Sequence, residues 1–385
     1  MLIYLLCFLI SAYLLFVSNK VKNNGQKSII IIIALIIPCL LAAFRANSIG
    51  TDLSVYVNPL YTKARYANSW QEFYNSTWIF NYQLRQAKNF EVGFLLIVFS
   101  VTKIFKNFQI LLFFIECLII FPTYKAFEKL VNQNENIWFV MLIYYFTLFN
   151  IGLNIVRQFI GISFAFLGLS YFLDDKNKNN LKAFMYIFIG MLFHKSTIIS
   201  LVVYFFYKLL KKCNNKFLKF KEKKFNLKKI VVIFIILASF LMLLNIKKIV
   251  VLLKSFGLVD YYGYINFKNS VGVSLSKIIM VLPIIFIYIW NKKDVIKNND
   301  YEFYFLNYIL YFITLLLSSI SEFASRIGYL FQVFNCISLT ILCHKSQKNK
   351  YYLYLFVLAY VIFYWWYFFV HLGYNQTVPY IFFNK

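Results

Sequence analysis

The chain has 385 residues, of which 61% are apolar and only 14% charged, with 40 Lys+Arg against 14 Asp+Glu. A soluble surface is about one-quarter charged, so this composition excludes cytosolic enzymes, secreted disulfide scaffolds and nucleic-acid-binding domains. Apolar runs recur from end to end and predict an all-α polytopic membrane protein.

In chain order, the most hydrophobic windows are 2–18, 28–44, 108–127, 137–152, 156–173, 182–194, 196–210, 229–245, 277–290, 301–319, 327–343 and 352–370. Each is near the length that crosses the hydrocarbon core, though 182–194 is short. Residues 1–18 lack a basic leader and a small-residue cleavage site, which predicts an uncleaved first span. Window 91–105 is ambiguous, and the lysines decide it. Lys125, Lys129, Lys176, Lys178 and Lys182 face the cytoplasm only if 91–105 stays outside, whereas spanning gains only Lys103 and Lys106. The segment is therefore expected to be a helix on the outer surface. This drawing gives about twelve spans in one integral membrane domain, 1–385, with both termini extracytoplasmic.

Two segments stand out in it. An extracytoplasmic loop runs over 45–107, and a basic cytoplasmic loop over 211–228 touches anionic lipid headgroups. A second outer loop, 246–276, carries Asp260-Tyr261-Tyr262-Gly263-Tyr264 and is expected to form part of a lid. The basic excess thus reports topology, with no nucleic-acid partner. Cys7, Cys39, Cys117, Cys213, Cys336 and Cys343 form no CxxC pair and imply neither disulfides nor a zinc site.

Arg45, Arg65, Arg85, Arg157 and Arg326 all fall on the extracytoplasmic side of this drawing, while most lysines are cytoplasmic. A composition rich in Lys, Asn and Ile favours lysine wherever charge alone is needed. A guanidinium adds a planar fork of donors that grips phosphate or carboxylate. Arg45, Arg157 and Arg326 are the stronger candidates, and Arg65 and Arg85 lie mid-loop.

Ionisable groups at membrane depth are costly and mark sites. Arg157 sits in Asn154-Ile155-Val156-Arg157-Gln158 and His194 in Phe193-His194-Lys195-Ser196. Glu322 and Arg326 flank a short outer turn, while Arg45 and Asp52 open the long loop and Glu91 closes it. Gathered at one outer cavity, these groups suit transfer from a phosphorylated lipid donor. Arginines would stabilise a departing diphosphate, and a carboxylate or imidazole would take the proton of an attacking hydroxyl. Asp52 and His194 both remain open as that base. The bland alternatives are a helix-packing His194, a Glu322–Arg326 pair four residues apart, and an interfacial belt for the loop aromatics that include Tyr56. No Walker loop, GxGxxG, HExxH or GxSxG occurs. The outer side holds no carboxylate cluster, so neither a metal nor a cofactor is expected. Asp174-Asp175 falls on the cytoplasmic side as a solvated loop.

In order, Arg45…Gly50-Thr51-Asp52…Tyr56, Glu91-Val92-Gly93-Phe94, Asn154-x-x-Arg157-Gln158, Phe193-His194-Lys195-Ser196, Ser325-Arg326 and Pro379-Tyr380 resemble the EpsG-type branch of the Wzy polysaccharide polymerases. The resemblance covers most of the chain. It implies a bacterial plasma-membrane glycosyltransferase of capsule, exopolysaccharide or O-antigen systems with a C-type glycosyltransferase-like fold. The implied substrate is an undecaprenyl-diphosphate-linked oligosaccharide, polymerised on the outer leaflet beside a flippase and a chain-length regulator. By motif, Arg157 and Arg326 become diphosphate clamps supported by Arg45, with Asp52 or His194 as base. Glu91, Tyr56, Gln158 and Glu322 fall to substrate binding. Rival readings are an O-antigen-ligase-type transferase, a flippase for the lipid-linked unit, and an acyltransferase resting on His194 alone. A flippase would place charges deep in several spans, and Glu116 is the only carboxylate well inside an apolar window.

Overall fold

The computed structural model describes residues 1–131, 136–174, 178–213, 217–220, 223–245, 248, 275–290, 301–318, 322–346 and 350–383. The chain divides into two compact units, Met1–Ser200 with Phe356–Lys385, and Leu201–Leu355.

The first unit contains α1 (Leu2–Ser18), α2 (Asn24–Ala43), α3 (Asn58–Tyr66), α4 (Trp70–Tyr74), strands β1 (Thr77–Phe80) and β2 (Gln83–Gln86), and α5 (Val92–Phe105). After these come α6 (Phe108–Leu130), α7 (Ile137–Tyr144), α8 (Asn150–Asn154), α9 (Val156–Leu173) and α10 (Asn180–Phe193). Asparagines start several helices: the side chains of Asn23, Asn107 and Asn179 accept from backbone N–H groups at the heads of α2, α6 and α10. A π-type turn, Tyr145–Phe149, joins α7 to α8 as one apolar rod.

Helices α1, α2, α6, α9 and α10 pack side by side in that order. Lipid supplies no hydrophobic drive between helices, so close contact relies on small residues. Gly161 of α9 and Gly190 of α10 show this: a Cβ on Gly190 would stand 2.7 Å from the Gly161 carbonyl oxygen.

Among the described residues, Asn24–Ala43, Phe108–Leu130, Ile137–Asn154, Val156–Leu173, Ser325–His344 and Lys350–His371 are long and apolar enough to cross a membrane. Leu2–Ser18, Val92–Phe105, Asn180–Phe193 and Phe303–Leu316 are apolar but shorter. The all-α polytopic expectation holds, with two local departures. The long loop contains the hairpin β1–β2, and the basic stretch contains another, β3 (Phe217–Phe220) with β4 (Lys223–Asn226). The first was hidden because its turn, Asn81-Tyr82, takes positive φ without any glycine.

Both ends of α5 lie at one end of the helix bundle. Glu91, just before it, meets Arg157 in the first turn of α9, and Gly93 meets Leu192 in the last turn of α10. Its far end lies beside the start of α6, where Phe105 packs on Phe114 and Tyr61 donates to the Lys106 carbonyl. The C-terminal residues return to the same end. Ala46 N donates to Ile381 O and Phe383 N to Phe44 O, while Tyr4 of α1 donates through its hydroxyl to Thr377 O.

The second unit holds α11 (Ile199–Lys212, which starts two residues before it), the β3–β4 hairpin, α12 (Leu227–Leu244), α13 (Leu275–Trp290), α14 (Tyr301–Leu317) and α15 (Glu322–Lys345). Helix α16 (Lys350–Trp365) leads back into the first unit. Helix α14 packs on α15, and Tyr308 donates to Val281 O of α13. Glu322 and Arg326 do not flank a turn: both belong to the N-terminal part of α15. Their polar side chains lower the local hydropathy without ending the helix. The second outer loop lies mostly outside the described residues.

Candidate active site

The residues that open the long loop lie flat against the α8–α9 junction. Gly50 has φ +83°, and a Cβ there would come within 2.6 Å of Leu153 O, so only glycine fits. Beside it, Asn154 Oδ1 accepts from Thr51 N at 2.7 Å and from Thr51 Oγ1 at 2.8 Å. Asp52 Oδ2 accepts from Val156 N at 3.1 Å. It also accepts from the hydroxyl of Tyr56, which the π-type turn Leu53–Val57 brings back toward it. Such turns recur at functional sites.

Arg157 stands in the first turn of α9. Its guanidinium carbon lies 4.8 Å from the Tyr56 ring centre and 4.6 Å from that of Phe90, so the group is stacked by two rings. Its Nη1 pairs with Glu91 Oε2. Behind Phe90, Trp78 of β1 stacks at 5.7 Å and donates to Val55 O, tying the hairpin to the cluster. Burial and the Asp52 carboxylate together raise the Tyr56 pKa well above the ordinary tyrosine value, which keeps the hydroxyl protonated.

Arg45 is 1% exposed. Its Nη2 donates to Leu153 O at 3.2 Å, while Nε and Nη1 have no hydrogen-bond partner among the described residues. Burial lowers its pKa, and Glu116 opposes that shift more than Tyr4, Tyr380 or Asp52 does. Glu116 is likewise buried, on α6. Among the described residues, no group of three His, Cys, Asp or Glu could hold a metal ion.

A carboxylate held by a phenol and a backbone amide, next to a stacked guanidinium, sits at the end of a polytopic helical bundle. A family model, the EpsG family, matches residues 28–382, nearly the whole chain. The chain belongs to the EpsG family. It is therefore a polysaccharide-polymerase-type membrane protein with glycosyltransferase-like activity. No curated protein and no solved structure matches it.

In this EpsG-family chain, Asp52, Tyr56, Glu91 and Arg157 form one cluster, with Arg45 joined to it through Leu153 and the Asp52 field. Gln158 is buried beside Arg157 on α9. His194 follows α10 and packs near Gly161, one helical turn along α9 from Arg157. It is 4% exposed, its Nδ1 lies 2.6 Å from Ser196 Oγ, and it caps the short turn Lys195–Ile198. Arg326 and Glu322 belong to the second unit. Arg65 and Arg85 lie over the neighbouring rings of Tyr66 and Phe80. Asp174 pairs with Lys129 at 3.4 Å at the other end of α9 from Arg157. At 1.5 Å per residue that is about 25 Å away.

Three residues of this region carry no chemical signal in the sequence: Asn154, Phe90 and Asn375. In the sequence Asn154 stands out only as a motif letter beside Arg157. Asn375, whose Oδ1 accepts from Asn154 Nδ2 at 3.1 Å, lies 221 positions away and carries no charge to draw notice.

Proposed function

We propose that this protein polymerises undecaprenyl-diphosphate-linked oligosaccharide repeat units on the outer leaflet of the bacterial plasma membrane. The sugar carbon bonded to the diphosphate is attacked by a hydroxyl of the next lipid-linked unit. The new carbon–oxygen bond forms, the bond to phosphate breaks, and undecaprenyl diphosphate leaves with the electron pair. Asp52 takes the hydroxyl's proton; Tyr56 orients that carboxylate and borders the sugar. Arg157, backed by the buried charge of Arg45, stabilises the departing diphosphate. Arg326 is assigned a diphosphate role by its motif alone.

The observation that carries this reading is the joining of a carboxylate and a stacked guanidinium through one tyrosine, Tyr56, in an EpsG-family chain. The coming together of the first turn of α1 and the C-terminal residues supports placing both termini on one side. The test is deletion of the gene in its source strain, followed by restoration with wild type or Arg157→Ala, with surface and lipid-linked glycan run on a gel. The expected result is loss of the long ladder, with single repeat units still reaching the surface. Full-length polymer retained on its carrier lipid would make the protein a ligase, and an unchanged ladder would remove the assignment.

A further inference from the structure

We propose that Asn154, braced by Asn375 in the C-terminal segment, is the positioning residue that aims the Asp52 carboxylate at the acceptor hydroxyl; this rests on Asp52 being the base. The α8–α9 junction holds two consecutive loop residues by different atoms. Asn154 Oδ1 takes both the main-chain and the hydroxyl hydrogen of Thr51, and Val156 N, two residues on, donates to Asp52 Oδ2. Residue 51 is fixed by its backbone and residue 52 by its side chain, so the carboxylate has little freedom to swing.

The other end of the Asn154 amide is also engaged. Its Nδ2 donates to Asn375 Oδ1 at 3.1 Å, and in the same returning segment Gln376 O accepts from Gly50 N at 3.3 Å. Thr377 continues the brace: its carbonyl accepts from Tyr4, and its Oγ1 lies 2.9 Å from Asn150 Nδ2. Trp365 Nε1 in turn donates to Asn150 Oδ1 at 2.8 Å, which roots the segment in α16. A side chain present only to fill space would not need an amide with both ends bonded. The chemistry gives such placement value, because an error of about 1 Å at a reacting group can cost on the order of a hundredfold in rate.

The experiment adds purified variants to membranes of the deletion strain, which carry their own accumulated lipid-linked repeat unit. Turnover and half-saturating substrate concentration are measured at each variant's pH optimum. Asn154→Ala is expected to lower turnover at least tenfold while half-saturation moves less than about twofold. Asn154→Asp keeps the acceptor for Thr51, and Asn375 can turn its amide to donate; it is expected to recover most of the rate. Combining Asn154→Ala with Asp52→Asn is expected to be no worse than Asp52→Asn alone, because both act through one carboxylate. Wild-type turnover in Asn154→Ala, or a double variant whose loss is the product of the two single losses, overturns the proposal. Should Asn154→Ala fail to accumulate, Asn375→Ala leaves both Thr51 bonds in place and is expected to show a several-fold loss with the same pattern; no loss there overturns it. Full activity in Asp52→Asn alone would instead remove Asp52 as the base.

Discussion

Arg157 and Glu91 already complete an ion pair, with the guanidinium held between the rings of Tyr56 and Phe90 and the two side chains 18% and 10% exposed. A diphosphate that took both terminal nitrogens of that fork would have to displace the carboxylate from Nη1. Exchanging carboxylate for phosphate preserves a charge-assisted bond and returns Glu91 to water. On the proposed function, Glu91 competes with the donor diphosphate for Arg157. Glu91→Gln is expected to lower the half-saturating concentration of lipid-linked unit about three- to tenfold, a difference on the order of 1 kcal/mol. A rise in that concentration would show that Glu91 serves to hold Arg157 in place.

Arg157→Lys tests the fork itself. An ammonium keeps the charge but loses the planar donors that stack between two rings and bind bidentately. Polymer is expected to fall by at least tenfold while the protein accumulates normally, as measured by glycan ladder and immunoblot. Wild-type chain length from the lysine variant would mean that charge alone suffices.

Gly50→Ala tests the approach of the loop to α8. A left-handed backbone costs a non-glycine residue about 1–2 kcal/mol, and the added Cβ would stand 2.6 Å from a backbone oxygen that has little room to retreat. The purified variant is expected to melt several degrees lower in detergent and to lose polymer in proportion to the displacement of Asp52. A variant of equal stability would mean that the loop re-forms without this contact.

Much of this was legible in the sequence, and the unreadable part has a physical cause. Hydropathy windows anticipated nearly all the helices, because an apolar rod announces itself residue by residue. Arg45, Asp52, Glu91 and Arg157 were legible because ionisable groups in or beside membrane spans are few and costly, and Tyr56 through the motif it shares with Asp52. The Asn154–Asn375 link was not, since two neutral amides far apart in the chain reveal themselves only when brought to 3.1 Å. Nor did the sequence show that His194 folds back on Ser196, which depends on the short turn after α10.

Tyr56→Phe isolates the hydroxyl that donates to Asp52. The ring still stacks on Arg157, so donor binding is expected to change little, while turnover falls several-fold as the carboxylate loses an orienting donor. Burial and Asp52 hold the Tyr56 hydroxyl protonated well above the ordinary tyrosine pKa. Its ionisation therefore adds no alkaline limb to the wild-type pH–rate profile up to about pH 10, and the phenylalanine variant should keep the wild-type alkaline side. An alkaline limb that disappears in Tyr56→Phe would show that the phenol itself titrates during turnover.

The two candidate bases separate by their surroundings. Asp52 lies within the field of Arg157 and Arg45 and is aimed by Tyr56 and Val156. His194 is buried, turned toward Ser196 and occupied in capping the turn that starts Lys195–Ile198. Asparagine can accept a capping hydrogen bond as histidine does, so His194→Asn should retain most of the polymerising rate. Asp52→Asn keeps the shape and removes the proton acceptor, and general-base loss typically costs 10²–10⁴-fold. Initial rates of both variants across pH 5–9 decide the matter. If histidine were the base, His194→Asn would suffer the large loss and the acidic limb of the profile would vanish with it.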